Sequence, residues 1–268
     1  MAGPTAERVQ AASAGIFLPP SAPRVETDEY LLIRYPDWFE RPVQLVRFEP
    51  TRPADEVLAE VVDLARGYVD AANPATHHLD CWLRLGAPAE IETAYGDAGG
   101  VLDETVDVFA MAVADFDPDA LTPATDVEVR WSVDLDVMID AAELGASVFG
   151  GTASDRDALA AEHLGEVVKY RSGGGGAAVA YLDGRPVGSG GLTVVDGMDA
   201  RFWGGAVLPE MRGRGVYRAV LAARLAYARE AGADLALVKG RVQTSGPILR
   251  RAGFEAFGQE RSYLIDLG

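Results

Sequence analysis

The apolar positions of the second half of the chain change period several times, and each change marks an element. "DLDVMIDAAELGASVFG" (134–150) repeats apolar residues at helical spacing and ends in glycine, so it predicts a helix. "SDRDALAAEHLGEVVKY" (154–170) predicts a second helix, with Ser154 as its cap and Asp157 three residues on in a variant of the capping box. "RSGGGG" (171–176) reads as a flexible connector rather than a phosphate cradle, because no strand leads into it. "AAVAYL", "RPVGSGGLTVV" and "ARFWGGAVL" then read as three antiparallel strands, separated by the turn pairs Asp183-Gly184 and Asp196-Gly197. A long helix, "GVYRAVLAARLAYAREAG", follows, with Val216, Val220, Ala223 and Tyr227 at helical spacing and Gly232 at its end. "LALVKG" predicts a buried strand and "SGPILRRAGF" a short helix, capped by Ser245 with Pro247 in its first turn. "FEAF" and "RSYLIDL" predict a closing strand pair. The strand–long helix–strand portion suits a right-handed parallel crossover.

The first half repeats the last part of this pattern in blurred form. "PVQLVRFEP" reads as a strand, and "PADEVLAEVVDLARGYVDA" as a helix with Val57, Val61, Leu64 and Tyr68 on one face. "LDCWLRL" predicts a strand, "PAEIETAYGDAGG" a short helix and "ETVDVFAMAV" a strand. "DAGGVLDETVDVFAMAV" and "RRAGFEAFGQERSYLIDL" share a helix end, a glycine, an acidic turn and an apolar strand. The chain therefore divides into residues 1–25 as a loose, disordered Ala/Pro/Ser-containing tail, 26–130 as a degenerate module and 131–268 as an intact one. "DVEVRWSVDL" is the strand that leads into the second module.

Composition narrows the function without naming it. The net charge of −17 over 268 residues argues against a nucleic-acid binder, which would need basic residues against phosphate. It favours solubility and a cationic small substrate. No run reaches the roughly 20 apolar residues of a membrane span, and the N-terminus lacks a secretory pattern, so a cytoplasmic location is expected. Cys81 stands alone and is expected to be a core thiol; no Cys/His cluster suggests a metal. Adjacent His77 and His78 suit a turn, and His163 suits a helix surface.

The distinctive chemistry lies in "VLPEMRGRGVYRAVL" (207–221). A strand that feeds a glycine-rich turn into a helix start makes an anion site, because the first-turn amides lack intrahelical partners and the helix dipole adds positive charge. Arg212 and Arg214 can add charge-assisted hydrogen bonds, so a phosphate or pyrophosphate is the expected ligand. The stretch fits neither the P-loop nor the dinucleotide fingerprint: the Gly-Lys-Ser/Thr end is missing, and Arg218 stands where a third glycine would fall.

Arg212-Gly213-Arg214-Gly215-Val216, preceded by Val207-Leu208-Pro209-Glu210, resembles the acyl-CoA loop of the GNAT acetyltransferase superfamily, whose pattern is Gln/Arg-x-x-Gly-x-Gly/Ala. Arg212 and Gly215 match; Tyr217 stands where a small residue is usual. "ILRRAGF" (248–254) resembles the family's short helix before its closing strands. The resemblance covers about residues 134–268 and implies a mixed α/β sheet of the GNAT acyl-CoA N-acyltransferase fold. The first module resembles a decayed GNAT half; its equivalent loop, "FEPTRPADE", has no glycine, so no CoA is expected there. The tandem arrangement of one degenerate and one intact module also occurs in the superfamily.

The resemblance implies that Ala206, Val207 and Leu208 offer backbone contacts to the pantetheine of acetyl-CoA, and that Arg212, Gly213, Arg214, Gly215, Val216 and Tyr217 hold its pyrophosphate. A small amine, working with a monomer or homodimer, would then attack the thioester directly. The acid and base are not evident. Leu249 stands where the family often has a tyrosine, Gln243, Thr244 and Ser245 where an asparagine is common, and "RFWGGAVL" carries no glutamate. Tyr263 is the candidate catalytic residue, with a packed strand tyrosine as the alternative. Phe202 and Trp203 alternate, so either one lines the acceptor pocket or both are core. Asp140, Glu143 and Glu162 can hold a cationic amine or form solvated helix faces. An acetyltransferase and a non-catalytic acyl-CoA-binding protein both fit the loop; the enzyme is the favoured expectation.

Overall fold

A computed structural model describes residues 3–121, 126–150 and 155–268. In chain order the elements are α1 (Ala6–Ser13), β1 (Arg24–Glu26), β2 (Tyr30–Arg34), β3 (Val43–Phe48), α2 (Ala54–Arg66), β4 (His78–Leu83), α3 (Ala89–Asp97) and β5 (Val101–Ala112). They continue with β6 (Glu128–Trp131), α4 (Leu135–Phe149), α5 (Arg156–Arg171), β7 (Gly175–Leu182), β8 (Arg185–Val195), β9 (Asp199–Val207), α6 (Val216–Glu230), β10 (Leu235–Arg241), α7 (Gly246–Arg251) and β11 (Glu255–Asp266). Ser154, read as the cap of α5, lies outside the described residues.

The chain forms two compact units, neither continuous in sequence. The N-terminal unit comprises residues 13–106 and 258–268; the C-terminal unit comprises 1–12 and 107–257. Two strands are therefore divided. β5 begins in the N-terminal unit and ends in the other, and β11 does the reverse.

In the N-terminal unit the strand order is β1-β2-β3-β4-β11. β3 and β4 are parallel and joined through α2; the other neighbours are antiparallel. Val57, Leu58, Val61, Val62 and Ala65 of α2 pack on Leu45, Leu79 and Tyr95. Leu64, assigned to the buried face from spacing, is 40% exposed, because the helix turns its 57/58/61/62/65 stripe to the sheet instead. Cys81 is fully buried, as a core thiol should be, and burial pushes its ionisation well up.

In the C-terminal unit the order is β5-β10-β9-β8-β7-β6. The β7–β8 and β8–β9 pairs are hairpins whose turn residues Asp183, Gly184, Asp196 and Gly197 all have positive φ, the signature of the tight turns their sequence predicts. α6 crosses from β9 to β10, which are parallel. Val216 and Val220 of α6 pack on Ala178, Ala180 and Val187. Leu221, Leu225 and Ala228 pack on Phe109, Leu192, Phe202 and Leu249. On the other face of β7, Val137 and Leu144 of α4 pack on Val179 and Tyr181.

Four expectations change. The loose tail is a helix over residues 6–13: Val9 is fully buried, and Arg8 bridges Asp199 (2.8 Å) and Asp234. The glycines of "RSGGGG" are packed rather than flexible, since Gly175 opens β7 and a Cβ there would lie 2.2 Å from the Leu192 carbonyl oxygen. "FEAF" and "RSYLIDL" form one continuous strand, β11, not a pair. Ser245 precedes α7 with helical dihedrals and makes no side-chain cap. Among the described residues, no helix is long and apolar enough to cross a membrane.

Candidate active site

The site begins where β9 leaves the sheet. The parallel ladder between β9 and β10 runs from Leu235/Asp199 to Val238/Phe202 and stops. Beyond it, Ala206 and Val207 keep β8 as a partner on one side, and the edge of β9 that faces away from β8 opens. Its backbone amides and carbonyls are available to an extended ligand there, as at any unpaired strand edge.

A bulge sits beside this opening. Ser189 faces Ala206 and Gly191 faces Trp203, so Gly204 and Gly205 together oppose Gly190 alone. Gly204 takes φ +60°, which the bulge requires and a larger side chain would resist. The bulge keeps Phe202 buried on the α6 side, while Trp203 is 46% exposed on the other and donates from Nε1 to Thr193 Oγ1 (3.1 Å). The two aromatics thus separate: Phe202 is core, and Trp203 is the one available to a ligand.

Next comes a tight turn, Pro209–Met211, and then the Arg-Gly loop. Gly213 (φ +78°) and Gly215 (φ +82°) are both left-handed. Gly215 is the N-cap of α6 and offers no side chain to the first-turn amides; its carbonyl accepts from Ala219 N (3.1 Å). The amides at the helix start therefore remain for an external anion. Arg212 and Arg214 are exposed beside them. Val216, by contrast, is buried under β7 and β8, so any contact it makes to a ligand is through its backbone.

Tyr217 fits this framework. A Cβ at residue 205 would lie 3.0 Å from its Cε2, so the ring lies over the bulge and uses the space that a glycine leaves. Two turns further along α6, Arg224 is almost fully buried, which sequence spacing did not reveal because a charged residue reads as solvent-facing. Its guanidinium carbon lies 4.8 Å from the Phe202 ring centre and 5.9 Å from that of Tyr217. Nε and Nη1 donate to the carbonyls of Val220 (3.4 Å) and Gly191 (3.3 Å), and the Tyr217 side chain is a further electrostatic neighbour of the guanidinium. Burial pulls the Arg224 guanidinium below its usual range.

The remaining candidates are scattered. Tyr263 lies in the N-terminal unit, where its hydroxyl donates to Glu92 and its ring packs near Tyr95 (5.9 Å). That is the setting of a packed strand tyrosine. Leu249 is fully buried against Gly240 and carries no proton. Asp140 of α4 accepts a hydrogen bond from Tyr181, whereas Glu143 and Glu162 are exposed. His163 shares a hydrogen bond with the Val133 carbonyl (3.0 Å).

In the N-terminal unit, the segment ahead of α2 is held by a carboxylate of the chain itself. Before α2, Glu29 Oε1 accepts from the Thr51 amide (2.8 Å), the Thr51 hydroxyl (2.9 Å) and the Arg52 amide (2.9 Å), and Oε2 accepts from Arg52 Nε (2.8 Å). These bonds, led by those from Arg52, hold the Glu29 carboxyl down to about 2. α2 itself starts after Pro53 with no side-chain cap.

Residues 150–253 match the model of the acetyltransferase (GNAT) family. A GCN5-related N-acetyltransferase from Kribbella flavida superposes with a TM-score of 0.68 at 18% identity, over 98% of this chain and 96% of its own. One from Sphaerobacter thermophilus gives 0.64 at 17%, over 90% and 81%. A tandem GNAT protein from the clavulanic acid biosynthesis pathway gives 0.61 at 15%, over 97% and 88%. A search of curated proteins finds no match. Residues 150–253 thus match the acetyltransferase (GNAT) family, and the chain shares its fold with these solved structures, one of them a tandem GNAT protein.

Proposed function

We propose that the chain transfers an acetyl group from acetyl-CoA to the primary amine of a small, cationic molecule. The observation that carries this reading is the continuity of the open β9 edge with an uncapped, left-handed helix start. Ala206, Val207 and Leu208 would offer backbone hydrogen bonds along the pantetheine, and residues 212–217 would receive the pyrophosphate. The chain's residues bind and orient the thioester, so that the amine attacks as a held neighbour rather than as a free solute. The net charge of −17 attracts a cationic acceptor, and Trp203 with Asp140 supplies an aromatic and an acidic contact on the α4 side of the sheet. A cytoplasmic setting, with its acetyl-CoA pool, suits this activity.

Release of free thiol from acetyl-CoA across a panel of polyamines, amino-acid derivatives and aminoglycosides tests the proposal. Turnover with at least one cationic amine is expected. Tight CoA binding with no turnover on any amine would contradict it.

A further inference from the structure

Acetyl transfer from a thioester leaves a thiolate that needs a proton, and Leu249 cannot give one. On the acetyl-transfer reading, we propose that the Tyr217 hydroxyl is the proton donor to the departing CoA sulfur. Three features of the C-terminal unit converge on this residue. First, Tyr217 extends from the first turn of α6 across the bulge, at the edge of the opening where the β9–β10 ladder has ended. A Cβ at residue 205 would lie 3.8 Å from the phenol oxygen, so the hydroxyl itself, and not only the ring, is at the bulge. Second, Tyr217 is half-buried, which shelters the hydroxyl and still leaves it reachable from the opening. Third, the buried Arg224 lies beside the Tyr217 side chain, which is its hydrogen-bonding and electrostatic neighbour, with two aromatic faces against the guanidinium. A buried cation placed there offsets negative charge that arrives on the phenol oxygen.

The step balances without another reagent. The amine nitrogen forms the N–C bond to the acetyl carbon, the C–S bond breaks, and its electron pair goes to sulfur. Tyr217 O–H passes its proton to that sulfur, and the phenolate regains a proton from the ammonium through water. Arg224 is a positioning residue: it touches neither substrate nor sulfur, and it holds the ring and its charge.

Tyr217→Phe removes the hydroxyl and keeps the ring on Gly205, so the fold and the CoA site remain. Two measurements decide the role. In steady-state kinetics, kcat should fall about 100-fold, as expected for loss of a general acid, with KM for acetyl-CoA unchanged. In a pH titration of bound CoA followed by thiolate absorbance, the sulfur should ionise at lower pH in the wild type than in Tyr217→Phe, because the phenol hydrogen-bonds the thiolate. Arg224→Met should lower kcat without weakening CoA binding. Unchanged kcat in Tyr217→Phe, or coincident thiolate curves, would overturn the assignment. The thiolate measurement needs no acceptor, so it judges Tyr217 even where an absence of turnover has already defeated the acetyl-transfer reading.

Discussion

At the scale of single residues, Tyr217 and Gly205 form a matched pair. The tyrosine departs from the small residue of the family pattern, and the glycine opposite supplies the missing space: a Cβ there would stand 3.0 Å from the ring. Tyr217→Gly should therefore retain CoA binding by calorimetry, since the loop amides and left-handed glycines stay in place; complete loss would make the ring part of the binding site. Gly205→Val should lower the melting temperature, and combining it with Tyr217→Gly should recover most of that loss. Additive effects would show that the two positions do not touch. Half of this site was legible in the sequence. Arg212, Gly213, Arg214 and Gly215 announce an anion loop because glycine spacing and helix onset are local signals. Arg224 was hidden, because its burial depends on the gap left by Gly190 and on the rings of Phe202 and Tyr217.

At the scale of elements, the two helix starts differ in what precedes them. α6 follows the glycines of the Arg-Gly loop, whereas α2 follows Pro53 and a segment, Thr51–Arg52, that Glu29 ties down. Gly215→Val should abolish measurable CoA binding, because the side chain obstructs the anion and the left-handed backbone costs about 1–2 kcal/mol. Unchanged affinity would count against the loop. Glu29 is held to about 2, below its ordinary range near 4.5. Its contribution to stability is present above pH 4.5 or so and fades as pH falls toward 2. Glu29→Gln should thus melt earlier than the wild type at pH 7, with the gap narrowing below pH 4.5; a gap independent of pH would refute the carboxylate's role. The hairpins β7–β8 and β8–β9 were readable from Asp-Gly pairs. β1 and β2 were not, since Pro-rich surroundings mask short strands, and α1 was not, since its order comes from Arg8 and two distant aspartates.

At the scale of the whole chain, each compact unit incorporates a strand end from the other half of the sequence: β5 completes the C-terminal unit and β11 the N-terminal one. No local pattern announces this, because β5 and β11 are both twelve-residue strands and only tertiary packing decides where each ends up. The exchange places Ser262 of β11 beside Asp80 of β4, where burial raises the carboxyl to about 6 despite hydrogen bonds from Ser262 (2.6 Å) and Trp82 (2.9 Å). A carboxyl raised in this way favours the folded state most when protonated, and that advantage is lost as pH rises through 6. The wild type should lose more thermal stability between pH 5 and pH 7.5 than Asp80→Asn; parallel curves would show that Asp80 does not titrate there.

On the acetyl-transfer reading, one module of the chain binds acetyl-CoA and the other does not. Titration calorimetry of the full chain with acetyl-CoA tests it most directly. A single site per chain is expected, which disappears in Gly215→Val and persists unchanged in Asp55→Ala. Two sites per chain, no binding at all, or binding that survives Gly215→Val would contradict it.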